Sequence, residues 1–167
     1  MTLDLLSTVT IYIVSDGGTV NNQGYYSWVI ATSSTITIEG RGYVPGNPSQ
    51  IDSLRAESMG MLHALTVMSK RQQNTNCKGN LILASDNLEL ISRTQTFDKY
   101  GNRFAKQYVA PHMDIQCAID TILEKYFPHI EVQHVFGHQY TKKFTALTWL
   151  EYLNVRADQI STYTRYN

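Results

Sequence analysis

Three runs of β-branched and aromatic residues follow one another almost without pause, and they constrain the fold more than any other feature of the chain. Ile11–Val20 (IYIVSDGGTV), Gly24–Thr32 (GYYSWVIAT) and Thr35–Tyr43 (TITIEGRGY) each read as a strand, the last opening on a Thr-Ile alternation. The breaks between them are short, whereas a parallel crossover needs a dozen or more residues. An antiparallel meander follows. Pro45, Gly46 and Pro48 then end the pattern.

The first run closes on Asp16, Gly17 and Gly18. A carboxylate at the mouth of a strand can hold a metal, and glycines there admit close backbone approach to a ligand. Asp-Gly is equally a favoured hairpin dipeptide, so this stretch alone decides nothing.

From about Asp52 to Lys70 the period becomes helical. Leu54, Met61, Leu65 and Met68 form one stripe, and Glu57 falls on its edge, leaning toward the sheet. Favourable charge in a first helical turn would explain an acid there equally well. Asn80–Ser85 (NLILAS) is a short buried strand that runs into Asp86-Asn87 and a helix to about Thr94. Asp86 with Glu89 has the spacing of a capping box, a purely structural reason for the acid. Met113–Tyr126 is an amphipathic helix with Ile115, Ala118, Ile119 and Ile122 on its apolar face, ended by Pro128.

Glu131–Phe136 alternates as a strand and leads into Gly137, His138 and Gln139. His134 reads as a structural side chain, while His138, just past the strand and behind a glycine, can reach a cleft. The last element reads as a helix near Val155–Tyr163, with Asn154 as N-cap, Asp158 one turn inside, and Ala157 and Ile160 facing the core. In Arg93–Tyr108, Arg93, Lys99, Arg103 and Lys106 interleave with Phe97, Tyr100, Phe104 and Tyr108. Such a segment could track a phosphate backbone and stack on bases, but its charge density is unexceptional and a solvated connection is the better reading.

The chain has 167 residues, 43% of them hydrophobic, which is enough for one core and predicts a single domain over residues 1–167. Lys plus Arg and Asp plus Glu number 14 each, a balance that argues against a non-specific nucleic-acid binder but leaves a local basic patch open. Cys77 and Cys117 have no metal-ligand spacing and read as free thiols in a reducing compartment, cytoplasm or nucleus. The N-terminal MTLDLLSTVT lacks the basic region and apolar core of a signal peptide, and no apolar run approaches the ~18 residues needed to span a membrane.

Three strands carrying Asp16, a helix carrying Glu57, a fourth strand ending at Asp86, further helices, a fifth strand and a last helix carrying Asp158 make an α/β protein. The expected sheet is five-stranded and mixed, three antiparallel strands and then two parallel ones, flanked by helices. Its first strand is central and the fourth lies beside it in parallel, so Asp16 and Asp86 emerge at one carboxyl-end edge, where such sheets bind ligands.

The pieces VSDGGTV, SLRAESMGMLHAL, LASDNLELI, HVFGHQ and LNVRADQIS, in this order and spread over nearly the whole chain, resemble the ribonuclease H family. Arg55, two residues before Glu57, also looks like the family pattern. The DGG, RAE, SDN, GHQ and LNxxAD forms look most like the ribonuclease H domains attached to reverse transcriptases of retroelements. Two departures stand out: the segment between His138 and Asp158 is longer than in compact members, and a net charge of zero is unusual for such a nuclease.

The resemblance implies a ribonuclease H-like fold and metal-dependent hydrolysis of the RNA strand of RNA/DNA hybrids. It implies two Mg²⁺, with Mn²⁺ as substitute, held by Asp16, Glu57, Asp86 and Asp158, and His138 as a proton carrier or an aid to product release. Gly17, Gly18, Ser53 and Asn87 are the candidate substrate contacts. The domain could belong to a reverse transcriptase polyprotein, and the oligomeric state is left open. Three other functions compete: a catalytically silent module that binds nucleic acid or protein, a nuclease of the same fold acting on DNA, and a phosphatase with an Asp nucleophile. The last is prompted by DGGT, but no second Asp lies two residues from Asp16.

Overall fold

The structure, a computed structural model, describes residues 9–75, 80–100, 110–137 and 147–166. β1 (Thr10–Val20), β2 (Gln23–Ala31) and β3 (Ile36–Val44) form the expected meander, each pair antiparallel. Asn21 and Asn22 make the first turn with φ of 49° and 61°. A two-residue hairpin of this hand needs positive φ at both positions, and Asn accepts it more readily than most residues that carry a side chain. The turn therefore lies beyond Asp16-Gly17, which stay in the ladder opposite Ser27 and Tyr26. The hairpin explanation of that dipeptide is excluded.

β4 (Asn80–Ser85) runs parallel to β1, and β5 (Ile130–His134) runs parallel to β4. The sheet order is β3-β2-β1-β4-β5, with β1 central as expected. Among the described residues four helices flank it: α1 (Ser53–Thr75), α2 (Leu88–Tyr100), α3 (Met113–Tyr126) and α4 (Trp149–Tyr166).

Alternation along the strands divides the core in two. On one face Ile13, Trp28, Ile30, Leu81 and Leu83 pack with Met61, Leu65 and Met68 of α1 and Ile115, Ile119 and Leu123 of α3. On the other, Val14, Val29, Ala31 and Ala84 pack with Val135 and with Leu153 and Ala157 of α4. Each large apolar side chain so buried contributes roughly 1.5–3 kcal/mol.

Two glycines bring α1 down onto the sheet. A Cβ on Gly17 would lie 2.9 Å from the Ala56 carbonyl carbon and the Glu57 nitrogen, and one on Gly60 would lie 2.9 Å from the Ser27 oxygen. Helix and strand touch backbone to backbone at the point where Asp16 and Glu57 branch off.

α4 begins six residues before the expected Val155. Thr148 caps it, its Oγ1 accepting from the Glu151 amide at 3.2 Å, and Asn154 is an interior helical residue only 2% exposed. The indole of Trp149 donates to the Thr32 carbonyl at 2.8 Å and stacks on Tyr152. Packing of this half-buried aromatic first turn against the sheet outweighs the poor helix propensity of Asn. α2 likewise continues past the expected Thr94 to Tyr100. Of the basic and aromatic segment, residues 101–109 lie outside the described residues, and Arg93 is committed to Glu89 and to the Pro111 carbonyl. Cys117 is a free thiol, as expected, and Cys77 lies outside the described residues. Among those residues no helix is long and apolar enough to cross a membrane.

Candidate metal centre

Asp16 projects from β1 on the face that carries Val14, toward α4, and is 7% exposed. β1 pairs with β4 only as far as Val14 and Ala84, so Asp16 stands where the neighbouring strand is ending. Glu57 arrives from the opposite face. Asp52 caps α1, its Oδ1 accepting from the Arg55 amide at 2.9 Å, which puts Glu57 in the second turn, beyond the reach of the helix-terminus explanation. At 5% exposure it is buried where Gly17 offers no side chain to hold it away.

Asp86 follows β4 directly, and the capping assignment expected for it is wrong. Asn87 is the cap: its Oδ1 accepts from the amides of Glu89 and Leu90, both at 3.1 Å. Asp and Asn are comparable caps, and the chain places the second of the pair at the helix start. Asp86 is thereby left pointing at the acids. His134 braces this corner, with its Nε2 3.2 Å from the Asp86 carbonyl oxygen and its ring edge-on to Phe136. Its structural role is as expected. Gly137 lies flat against the acid, so close that a Cβ would come within 2.3 Å of the Asp86 Oδ2.

Asp16, Glu57 and Asp86 each offer a carboxylate oxygen, and these oxygens lie within 4.8 Å of one another. Asp158, in the middle of α4, hydrogen-bonds the Asp16 carboxyl from the other side. Asp16 is therefore shared between a tight group of three and a fourth acid. Burial pushes the Asp16 carboxyl up to about 8; the charges of Asp86 and Asp158 and the Asp158 hydrogen bond add to this, and the Gly17 amide opposes it. Glu57 is pushed up to about 10 by burial, by the Asp86 charge and hydrogen bond and by the Asp16 charge, against an opposing hydrogen bond from Asn87. Crowded carboxylates that are costly to ionise together stay protonated unless a cation neutralises them. A site made only of carboxylate oxygens, with no imidazole or thiolate among the described members, suits a hard divalent ion.

The remaining expected site residues are placed less uniformly. Ser53 is the exposed first residue of α1. Gly18 lies under the Tyr25 ring, where a Cβ would be 2.5 Å from its hydroxyl oxygen. Asn87 donates to the Glu57 Oε2. His138 lies outside the described residues. Gly60 and Gly137 also shape the site, and no local signal marks either; Gly137 sits in the motif HVFGHQ but carries no chemistry of its own.

No protein-family model matches the sequence, and no curated protein matches it at a significant level. Solved structures do match. LC11-RNase H1, solved in complex with an RNA/DNA hybrid, is 16% identical at a TM-score of 0.63, over 89% of this chain and 91% of that one. The PFV RNase H domain is 18% identical at 0.64, over 95% and 94%. The prototype foamy virus protease-reverse transcriptase matches 96% of this chain with 21% of its own, at 16% identity and a TM-score of 0.60.

Proposed function

We propose, starting from a chain with the ribonuclease H fold, that the protein is a metal-dependent endonuclease that hydrolyses the RNA strand of RNA/DNA hybrids. The observation that carries this is the convergence of Asp16, Glu57 and Asp86, from three separate elements, into one buried group whose oxygens lie within 4.8 Å of each other. No packing or capping requirement explains all three.

Two Mg²⁺, or Mn²⁺ in their place, would supply an activated water and neutralise charge on the attacked phosphate. Asp16, which adjoins both the group of three and Asp158, would contribute to both sites, with Glu57 and Asp86 completing one and Asp158 serving the other. Asn87 hydrogen-bonds Glu57, and Gly137 leaves the room that the Asp86 carboxylate occupies. His138, which follows Gly137 in sequence, would carry a proton or aid product release, so that its loss slows turnover without abolishing it. Gly17, Gly18 and Ser53, beside the acids, are the candidates for contact with the sugar-phosphate backbone, where the 2′-hydroxyl distinguishes RNA from DNA. Such contacts carry no base information, so cleavage is not sequence-specific.

The whole chain, residues 1–167, then forms one ribonuclease H-like domain working in the cytoplasm or nucleus. The match to a small part of a protease-reverse transcriptase supports a place within a reverse transcriptase polyprotein. Labelled RNA/DNA hybrid, double-stranded RNA and duplex DNA, each with and without Mg²⁺ or Mn²⁺, test the proposal. Cleavage of the hybrid alone, in its RNA strand and only with metal, is expected. Metal binding without cleavage of any of the three would instead mark a catalytically silent module.

A further inference from the structure

Asn87 makes two sets of hydrogen bonds with one amide group. Its Oδ1 accepts from the backbone amides of Glu89 and Leu90, and its Nδ2 donates to the Glu57 Oε2. Backbone N–H groups only donate, so the oxygen must face α2 and the NH₂ must face Glu57; the flipped amide would leave both α2 amides without their acceptor. The backbone nitrogen of Asn87 donates in turn to the Ser85 Oγ at 3.1 Å, and Ser85 is fully buried at the end of β4. The residue thus joins a strand end through its backbone, and a helix start and an acid borne by a second helix through its side chain.

We propose that Asn87 is a positioning residue for the cation site: it holds the Glu57 carboxylate toward Asp86 while it caps α2, so that one amide sets both the helix start and the shape of the cradle. This rests on the reading above that the acids bind divalent ions. It also reassigns Asn87, whose oxygen and one N–H are spent inside the protein, away from substrate contact.

Capping and positioning can be separated chemically. Ser is as good an N-cap as Asn, and Ala is a poor one. Neither can donate to Glu57 from this position in the way the amide does. Asn87→Ser therefore keeps the cap and loses the tether, and Asn87→Ala loses both. In calorimetric titrations of the full chain with Mn²⁺ alone, both variants should bind about 10- to 100-fold more weakly than wild type, the range found when a group that orients a metal ligand is removed. In thermal melts without metal, Asn87→Ser should lie closer to wild type than Asn87→Ala.

A Glu57→Gln background completes the test. If Asn87 acts through Glu57, Asn87→Ser should change Mn²⁺ affinity there by less than about twofold, because the coupled partner is already gone. Wild-type affinity in Asn87→Ser, or an unchanged loss in the Glu57→Gln background, would overturn the proposal while leaving the nuclease reading intact. Failure of the wild type itself to take up Mn²⁺ would overturn both.

Discussion

Replacing Glu57 by Gln should stabilise the metal-free protein at neutral pH, and by an amount that depends on pH in a defined direction. In the unfolded chain Glu57 loses its proton near 4.5, whereas in the folded protein it keeps it up to about 10. Between those values the folded state binds the extra proton, so stability falls as pH rises. The contribution is most favourable below the unfolded value and is lost progressively until pH passes the folded one. At pH 7 the gap from 4.5 is about 2.5 pH units, at ~1.4 kcal/mol each, a cost of about 3 kcal/mol. At pH 5 the gap has shrunk to about half a unit and the cost to under 1 kcal/mol.

A glutamine amide avoids this cost and keeps the geometry. Its oxygen can accept from Asn87 and its NH₂ can donate toward Asp86, as a protonated carboxyl does. With ~2–4 °C per kcal/mol for a chain of this length, the variant should melt roughly 6–12 °C above wild type at pH 7 and nearly level with it at pH 5. Differential scanning calorimetry in EDTA at the two pH values measures this directly. A variant that melts at or below wild type at pH 7, or one whose advantage is the same at pH 5, would show that Glu57 is neither desolvated nor crowded as described.

Four other outcomes follow from the same geometry. Asp86→Asn should abolish cleavage without lowering the melting temperature, because the α2 cap belongs to Asn87; cleavage at the wild-type rate would remove Asp86 from the site. Gly137→Ala should fold but bind Mn²⁺ roughly tenfold or more weakly, since its Cβ needs the space held by the Asp86 carboxylate, and unchanged affinity in a calorimetric titration would contradict that contact. Gly17→Ala should cost about 1–3 kcal/mol in urea denaturation, its new methyl meeting only backbone atoms of α1 and β2; a loss under about 0.5 kcal/mol would show that helix and strand are not in contact there. Calorimetry of metal binding at pH 7 in buffers of different ionisation enthalpy should show close to two protons released, from Asp16 at about 8 and Glu57 at about 10, with affinity rising as pH increases; no proton release would mean both acids are already ionised.

The elements that the sequence located best are those bounded by strong local signals. β4 and α3 fall on the residues expected, Asn80–Ser85 and Met113–Tyr126, because Asp86-Asn87 and Pro128 close them. The start of α4 is not legible because Asn154 has the chemistry of a cap, and only packing against the sheet makes it a buried interior residue. Asp86 and Asn87 present the same problem at a smaller scale: either could cap α2, and the choice between them is made by what lies opposite in space. Glu57 on the edge of an apolar stripe was a legible anomaly. The tether from Asn87 to Glu57 joins residues thirty positions apart and left no local trace.

Gly17 and Gly60 carry a consequence of a different kind. The separation of the two backbones that bear Asp16 and Glu57 is set here by positions that have no side chain, so it has a floor that no smaller residue can lower. A single methyl is the smallest step available to mutation, and at Gly17 it already exceeds the room between strand and helix. Variants of this protein can therefore reposition the acid side chains one residue at a time, but the spacing of the β1 and α1 backbones that bear Asp16 and Glu57 changes only if the helix is reseated.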